Sequence, residues 1–208
     1  MAKFPEPPAP NRLAAIAPAI RMVAAGTRLW RIYQRGGSHP TAWNAFRFFG
    51  PFTARFDHHL SPPRLQERGI LYAARSFPTC IAEFFQATRT IDVRRGEPWI
   101  VAFDLVRDVP ALDLAGPWPT RAGASTAICS GPRPRAQRWS CAAYEAYPDI
   151  EGLVYGSSMN AGELAVALYE RAGSSIPAAA AFDRPLTLPE LHDRLRRSAA
   201  RFGYAMPR

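Results

Sequence analysis

The chain has 208 residues, of which 48% are hydrophobic and 12% aromatic, and this is enough apolar material for the core of one domain. Three cysteines, Cys80, Cys129 and Cys141, form no close-spaced pair and leave one over in any disulfide pairing. These features indicate neither a secreted disulfide framework nor a cysteine-rich zinc site, and they favour a reducing compartment. The formal net charge is +9, although Lys3 is the only lysine in the sequence.

The positive charge comes from arginines that are spread along the whole chain. A basic surface attracts phosphate groups, so nucleic-acid binding is one alternative. Because the arginines form no single run, we expect them to solvate the surface and to attract an acidic partner or an anionic small molecule. The apolar stretch over residues 13–25 is interrupted by Pro18 and Arg21 and is too short for a membrane span or a signal peptide. We therefore expect a cytoplasmic protein that does not associate with a membrane.

Residues 1–26 are predicted to form an N-terminal extension outside the core. Four prolines in residues 1–10 prevent a regular helix and indicate a loose tail, and apolar residues over 13–23 predict a short helix that ends at Gly26. Residues 27–33 are rich in β-branched and aromatic residues, which predicts a strand. Residues 38–68 combine prolines with many aromatics and are predicted to be a long irregular segment, a type of loop that is often functional.

Alternating and apolar patterns predict further elements in the rest of the chain. Residues 69–75 are typical of a buried strand, and residues 79–88 are typical of a helix, which would place Glu83 on a helix directly after a strand. Strands are also predicted over 99–105 and 152–157, and a helix over 134–147. Residues 163–169 alternate as a strand does, although their periodicity also permits a helix.

The C-terminal element has the clearest helix signals. Thr187 and Glu190 match a capping box, apolar residues over 188–202 form a stripe, and Gly203 is placed to end the helix. We predict three parts: an N-terminal extension over 1–26, a core over 27–175 and a C-terminal helical extension over 176–208 that packs on the core. The mixed order of elements predicts an α+β fold with largely antiparallel sheet pairing and flanking helices.

Common catalytic motifs are missing from the sequence. It has no glycine-rich phosphate loop that ends in Lys-Ser or Lys-Thr, no G-x-G-x-x-G, no H-E-x-x-H and no G-x-S-x-G. His58 and His59 are adjacent, so we interpret them as surface or loop residues and not as joint metal ligands. Cys80 is interpreted as a small core residue of its helix. No metal site is expected.

Five polar residues lie within otherwise apolar elements: Arg31, Arg55, Tyr72, Glu83 and Ser157. Most of them have an ordinary structural explanation, such as an exposed strand face for Arg31, a half-buried core ring for Tyr72 or a turn for Ser157. Glu83 is different because Ala82, Phe84 and Phe85 flank it, and burial of its carboxylate would be costly unless the group were paired or used.

Together these residues resemble the RES domain family, which is named for its Arg, Glu and Ser residues and is best known for toxins of bacterial toxin–antitoxin pairs. The resemblance extends over about residues 27–169. In chain order it consists of an Arg in L-W-R, an Arg-aromatic step, L-Y-A-A followed by A-E-F, and G-L-V-Y-G-S. One departure is Ala54, since the family often has glycine before the second arginine.

The resemblance implies an ADP-ribosyltransferase-like core that degrades NAD⁺ as its substrate, by hydrolysis or phosphorolysis, or that transfers ADP-ribose to a protein. Glu83 would bind the ribose 2-hydroxyl and stabilise the positive charge that develops on the sugar. Tyr72 would stack on the cationic nicotinamide, and Arg31 and Arg55 would bind the pyrophosphate. Ser157 would complete the pocket with a hydroxyl hydrogen bond. Glu83, Tyr72 and Arg31 are thus the implied catalytic residues.

The resemblance also implies a helix-turn-helix antitoxin as partner. A nucleic-acid-binding or RNA-cleaving protein remains the alternative from another class, because of the net charge of +9 and the aromatics that lie among the arginines of residues 43–56. The sequence lacks a recognition helix, an RNA-binding signature and a plausible acid/base histidine pair, so direct nucleic-acid binding is not expected. A binding module with the same fold and no catalysis is a further alternative.

Overall fold

The computed structural model describes residues 4–207, and within this range the chain forms nine strands and five α-helices. The strands are β1 (Ile20–Val23), β2 (Arg28–Gln34), β3 (Arg47–Gly50), β4 (Arg64–Ala74), β5 (Pro98–Asp104), β6 (Val109–Asp113), β7 (Gly152–Gly156), β8 (Leu164–Tyr169) and β9 (Phe182–Pro185). The helices are α1 (Pro10–Ala14), α2 (Phe77–Phe84), α3 (Trp118–Arg121), α4 (Arg133–Ala146) and α5 (His192–Phe202). In the described part of the chain no helix has both the length and the apolar character needed to cross a membrane.

All nine strands belong to one sheet in the order β1-β6-β7-β8-β4-β2-β5-β9, and β3 pairs with β4 beside this path. The pairing of β6 with β7 is parallel, and every other pairing in the sheet is antiparallel. The predicted α+β class, with a largely antiparallel sheet and flanking helices, is therefore confirmed.

The helices cover different parts of the sheet. Trp139 of α4 is 1% exposed and belongs to the same apolar cluster as Leu153 of β7 and Tyr169 of β8. A second cluster holds Ile81 of α2 and Leu195 of α5 together with residues of β2 and β5. Helix α2 follows β4 after two residues and packs against β2 and β4, which are neighbouring strands of the sheet.

The strongly patterned segments form the predicted elements with small shifts of their ends. Strands β2, β4, β5 and β7 overlap the predicted strands, and α2 and α4 overlap the predicted helices, although β4 begins earlier, at Arg64, and α2 ends earlier, at Phe84. Residues 164–169 form a strand, which decides between the two structures that their periodicity permitted. The prediction of an irregular segment over 38–68 is wrong in part, because β3 lies inside it and β4 begins at Arg64.

Short strands account for the other errors in the sequence-based assignment. The helix predicted over 13–23 is a helix over Pro10–Ala14 and a strand over Ile20–Val23, since pairing with β6 holds the second half in an extended conformation. β6 and β9 were not predicted. Both β1 and β9 have four residues and lie at the edges of the sheet, where pairing with a distant neighbour outweighs local preference.

The N-terminal segment packs on the domain from Phe4 onward, which differs from the predicted loose tail. Phe4 is 5% exposed and belongs to the apolar cluster around α4. The indole Nε1 of Trp139 donates to the carbonyl oxygen of Pro5 at 2.9 Å, and Glu6 forms ion pairs with Arg135 and Arg138. Residues 1–3 of the predicted tail lie outside the described residues. Prolines prevent a helix here, but extended chain can still pack through one aromatic ring.

His58 and His59 lie in a loop as predicted, but the expectation of a surface position is wrong. His58 is fully buried and His59 is 3% exposed. The His58 ring packs against Tyr144 and Tyr169 with ring centroids 4.4 Å apart in each case, and its Nε2 lies 3.7 Å from Oε2 of Glu170. None of the four ring nitrogens of the two histidines has a hydrogen-bond partner in the described structure. Burial of these rings therefore favours their neutral form.

Acidification is expected to destabilise the protein through His58 and Glu170. Burial lowers the pKa of His58 from its ordinary value of 6.5, although the nearby Glu170 opposes this shift. Burial raises the pKa of Glu170, but His58, Tyr144 and the Gly69 N–H outweigh this effect and lower the pKa from 4.5 to about 2. Both groups have lower pKa values in the folded chain than in the unfolded one. Each therefore contributes stability at neutral pH, which is lost for His58 below about pH 6.5 and for Glu170 between about pH 4.5 and 2.

The free energy of unfolding, measured by urea titration at pH 7.5 and 5.5, checks this prediction for His58. The wild type should be less stable at the lower pH, and His58→Phe, which keeps the packing of the ring and removes the titration, should show a smaller difference. Equal differences in the two proteins would contradict the prediction.

The C-terminal helix ends as predicted and begins in a different way. A 3₁₀ turn over Pro189–Leu191 precedes α5, and the helix has no side-chain cap, so the capping box that Thr187 and Glu190 suggested is not formed. Gly203 ends the helix in the left-handed conformation with φ of 64°. Both β9 and α5 lie in the predicted C-terminal extension, where β9 joins the sheet and α5 packs beside α2. The division of the chain into three parts stays a prediction.

Replacing Gly203 with alanine should lower the free energy of unfolding by about 1 kcal/mol, because a Cβ atom is disfavoured in the left-handed conformation. A Cβ atom at this position would meet no other atom within 4 Å, so the cost comes from the backbone alone. Gly203→Asn should cost less than Gly203→Ala, since asparagine tolerates this conformation better. Urea titration of the two variants measures the difference, and the opposite ranking would refute the backbone explanation.

Candidate active site

A cavity of about 470 Å³ opens where β2, β4 and α2 meet. This volume lies within the usual range for a small-molecule site. Arg31 from β2, Tyr72 from β4, Glu83 from α2 and Arg55 from the loop after β3 all line it. The fold thus brings together four of the five site residues predicted from sequence, and Ser157 contacts one of them.

Glu83 lies on the last turn of α2, and the start of this helix fixes its position. The Ser76 hydroxyl accepts a hydrogen bond from the Thr79 N–H at 3.4 Å, and Pro78 occupies the first turn. Ile81 and Ala82 are fully buried on the core side of α2, whereas Glu83 is half-buried at the cavity. The carboxylate is therefore presented to the cavity by a helix that packing holds in place.

Ser157 follows β7 and binds the Glu83 carboxylate. Its hydroxyl oxygen accepts hydrogen bonds from the N–H groups of Met159 and Asn160, both at 3.1 Å. The hydroxyl proton therefore remains for Glu83, and Ser157 Oγ donates to Glu83 Oε1 at 2.5 Å. Because the turn after β7 fixes the hydroxyl, Ser157 holds Oε1 of the carboxylate in place.

Tyr72 and Tyr155 lie on neighbouring parts of the cavity wall. The Tyr72 hydroxyl accepts a hydrogen bond from the backbone N–H of Phe56 at 3.1 Å, and burial raises its pKa well above the ordinary value. Burial also raises the pKa of Tyr155 well above the ordinary value, and the negative charge of Glu83 adds to this shift. Both phenols are consequently neutral over the physiological range, and their rings provide an apolar wall.

Arg31 brings a positive charge into a poorly solvated position. Its Nη1 donates to the carbonyl oxygen of Ala45 at 3.1 Å. Burial lowers its pKa from 12.5 to about 10, and the charge of Arg47 acts in the same direction. Within residues 4–207 it forms no ion pair with a carboxylate. An anionic ligand would compensate this half-buried charge.

Arg55 lies in the loop between β3 and β4, and a backbone group distant in sequence holds its side chain. Its Nη1 donates to the carbonyl oxygen of Gly131 at 2.6 Å. Burial lowers its pKa, and the neighbouring Arg133 lowers it further. The side chain reaches the cavity although Ala54 precedes it, so the departure from glycine at this position does not remove the arginine from the site.

Several further residues that the sequence did not single out line the same cavity, among them Arg47, Gln86, Arg133 and Tyr155. Arg47 is neutralised by an ion pair with the fully buried Asp57. Arg133 forms no ion pair with a carboxylate in the described part of the chain, which makes it similar to Arg31 and Arg55 in this respect. Gln86 could have been found from its position three residues after Glu83, whereas Arg47 and Arg133 gave no local signal.

The charges around the cavity favour an anion. Three guanidinium groups without a carboxylate partner among residues 4–207 face one carboxylate, that of Glu83. Residues 4–207 contain no group of three or more His, Cys, Asp or Glu side chains placed to hold a metal ion. The chemistry that these side chains themselves can provide is electrostatic: they can bind phosphate groups and stabilise a positive charge next to Glu83.

Comparisons with known proteins agree with this architecture. The fold matches a chain in the crystal structure of the M. tuberculosis MbcT–MbcA toxin–antitoxin complex, with a TM-score of 0.60 and 20% sequence identity, covering 90% of this chain and 96% of that one. At this identity the likeness shows the fold. No curated protein matches the sequence. The family model of the RES domain matches residues 28–189, which is most of the chain. The chain therefore belongs to the RES domain family.

Proposed function

We propose that the protein cleaves the bond between nicotinamide and ribose in NAD⁺. The observation that carries this proposal is the position of the Glu83 carboxylate, which lies in one cavity with Arg31, Arg55 and the Tyr72 ring. Membership of the RES domain family supports the same activity. A cavity of about 470 Å³ has room for the reacting half of the dinucleotide, and its opening would let the rest extend outward.

The residues fit the charges of this reaction. As the glycosidic bond breaks, its electron pair passes to the pyridine nitrogen, nicotinamide leaves as a neutral molecule and positive charge develops on the ribose. A carboxylate that accepts a hydrogen bond from the ribose 2-hydroxyl stabilises this charge, and Glu83 fits this role. Since the Ser157 hydroxyl occupies one position on Oε1, the remaining lone pairs of the carboxylate can accept the sugar hydroxyl.

The other residues of the site would bind the ends of the substrate. Arg31 and Arg55 carry guanidinium groups without carboxylate partners in the described structure, which suits two bound phosphate groups. The nicotinamide ring is cationic while it is attached to ribose, and the Tyr72 ring can hold it by stacking and cation–π attraction. No step of this scheme requires a metal ion.

An incubation of the purified protein with NAD⁺ tests the proposal. Loss of NAD⁺ and release of nicotinamide are expected, and mass spectrometry of the ribosyl product, with and without phosphate, identifies the acceptor. Water would give ADP-ribose, phosphate would give its phosphorylated form, and a protein acceptor would give a modified polypeptide. NAD⁺ that stays intact under all three conditions would refute the proposal.

The family and the fold also support a role as the toxin of a toxin–antitoxin pair, acting on NAD⁺ in the cytoplasm. The proposed partner is a helix-turn-helix antitoxin that masks the cavity. Expression of the protein should deplete cellular NAD⁺ and stop growth, and coexpression of a helix-turn-helix protein encoded next to it should restore both. Growth arrest without loss of NAD⁺ would contradict this mode of toxicity.

A further inference from the structure

Gln86 contacts the carboxylate oxygen of Glu83 that Ser157 does not bind. It lies in the turn after α2 and lines the cavity. Its Nε2 donates to the backbone carbonyl oxygen of Glu83 at 2.8 Å and to the carboxylate Oε2 at 3.2 Å. Ser157 binds Oε1 of the same carboxylate. Each carboxylate oxygen thus has its own donor, and the two donors come from different parts of the chain.

Arg133 determines which way the Gln86 amide points. Its Nη2 donates to Gln86 Oε1 at 2.8 Å. A guanidinium group has donors and no acceptor, so the amide oxygen must face Arg133 and the amide nitrogen must face Glu83. The opposite orientation would place two donors against each other and the amide oxygen against a carboxylate. Arg133, at the start of α4, therefore acts on the carboxylate through Gln86.

We infer that Gln86, oriented by Arg133, is a positioning residue that holds the Glu83 carboxylate in the plane required for catalysis. The inference rests on the proposed function of Glu83. A carboxylate with a donor on one oxygen can still rotate about its terminal bond, whereas donors on both oxygens fix its plane. Each oxygen keeps lone-pair capacity for the substrate, and preorganisation of this kind acts on the chemical step.

A purely structural role for Gln86 is the competing explanation, because its bond to the Glu83 carbonyl oxygen also satisfies the end of α2. In that case loss of the amide would lower stability and leave turnover unchanged. A direct role of Arg133 in binding phosphate is a second competing explanation, since Arg133 also lines the cavity. In that case its loss would raise KM independently of Gln86.

Steady-state kinetics of NAD⁺ cleavage separate these explanations. Gln86→Met, which keeps the length of the side chain and removes the amide, should lower kcat about tenfold, with KM changed less than about threefold. Arg133→Met should lower kcat by a similar factor, and the double variant should be no slower than the slower single variant, because both changes remove the same interaction. Gln34→Met is the matched control, since Gln34 lies at the end of β2 outside the cavity lining, and its kcat should equal that of the wild type.

The inference is overturned if Gln86→Met leaves kcat unchanged, or if the losses from the two single variants multiply in the double variant. An NMR measurement tests the contacts of Gln86 independently of activity. In ¹⁵N-labelled protein the side-chain amide protons of Gln86 should exchange slowly, and Arg133→Met and Glu83→Gln should each shift these signals and speed the exchange. If the wild type does not consume NAD⁺, the proposed function fails. If the amide signals of Gln86 are unchanged in both variants, the inference about Gln86 fails, whether or not the wild type is active.

Discussion

Glu83→Gln is expected to lower the rate of NAD⁺ loss by at least about a thousandfold while the protein remains folded. Glutamine has almost the same shape, so it can occupy the same place at the end of α2. It carries no negative charge, however, and cannot stabilise the positive charge that develops on the ribose. It would also put an NH2 group, which is a donor, in place of one acceptor oxygen. This donor would face another donor, either the Ser157 hydroxyl or the Gln86 amide.

Turnover and folding are measured together to interpret this variant. Circular dichroism and a thermal melt should show a folded protein whose melting temperature is close to that of the wild type. Glu67→Gln makes the same chemical change at an exposed position of β4 and should leave turnover unchanged. Wild-type turnover in Glu83→Gln would remove Glu83 from the mechanism and with it the main support for the proposed reaction.

The long, strongly patterned segments could be predicted from sequence because their own residues determine the conformation. β5 is apolar over nearly its whole length, and α4 has an amphipathic pattern over fourteen residues. The short strands could not be predicted in this way. β1 exposes three of its four residues, and its conformation depends on pairing with β6, which lies about ninety residues further along the chain.

The residues of the candidate site also differ in whether the local sequence identifies them. Glu83 was recognisable because a carboxylate among apolar residues is costly unless it is used, and the resemblance to a family identified Arg31, Arg55 and Tyr72, which all line the cavity. The roles of these residues remain proposals. Arg133 was not recognisable because its contact with Gln86 joins residues 47 positions apart, and nothing in either local sequence indicates that the two meet.

The buried histidines show a further limit of sequence reasoning. Two adjacent polar residues in a proline-rich segment favour a surface loop, yet the loop is covered by Tyr144 and Tyr169. The covering residues come from α4 and β8, so the burial of His58 is a property of the assembled domain. Loops usually lie on the surface, and this one is buried only because elements from distant parts of the sequence pack over it.

Arg31→Met is expected to lower kcat/KM for NAD⁺ about a hundredfold without lowering the melting temperature. The loss follows from the removal of charge-assisted hydrogen bonds to phosphate, each of which is worth about 1.5–3 kcal/mol. Stability should be maintained or increased because the arginine is poorly solvated, burial lowers its pKa to about 10, and no carboxylate of residues 4–207 pairs with it. Methionine fills similar space and needs no solvation of a charge. The Arg31 charge would thus lower the stability of the free protein and at the same time bind the phosphate groups of the substrate.

Thermal melts with and without a non-cleavable NAD⁺ analogue test both parts of this argument. The analogue should raise the melting temperature of the wild type, because a ligand that binds the folded state stabilises it, and should have much less effect on Arg31→Met. Arg28→Met is the control on the same strand, since Arg28 is exposed and paired with Asp104 at 2.8 Å, and it should keep wild-type kinetics and the full response to the analogue. If Arg31→Met kept wild-type kinetics but melted at a lower temperature, Arg31 would be a structural residue and the anion would have to bind to Arg55 and Arg133 instead.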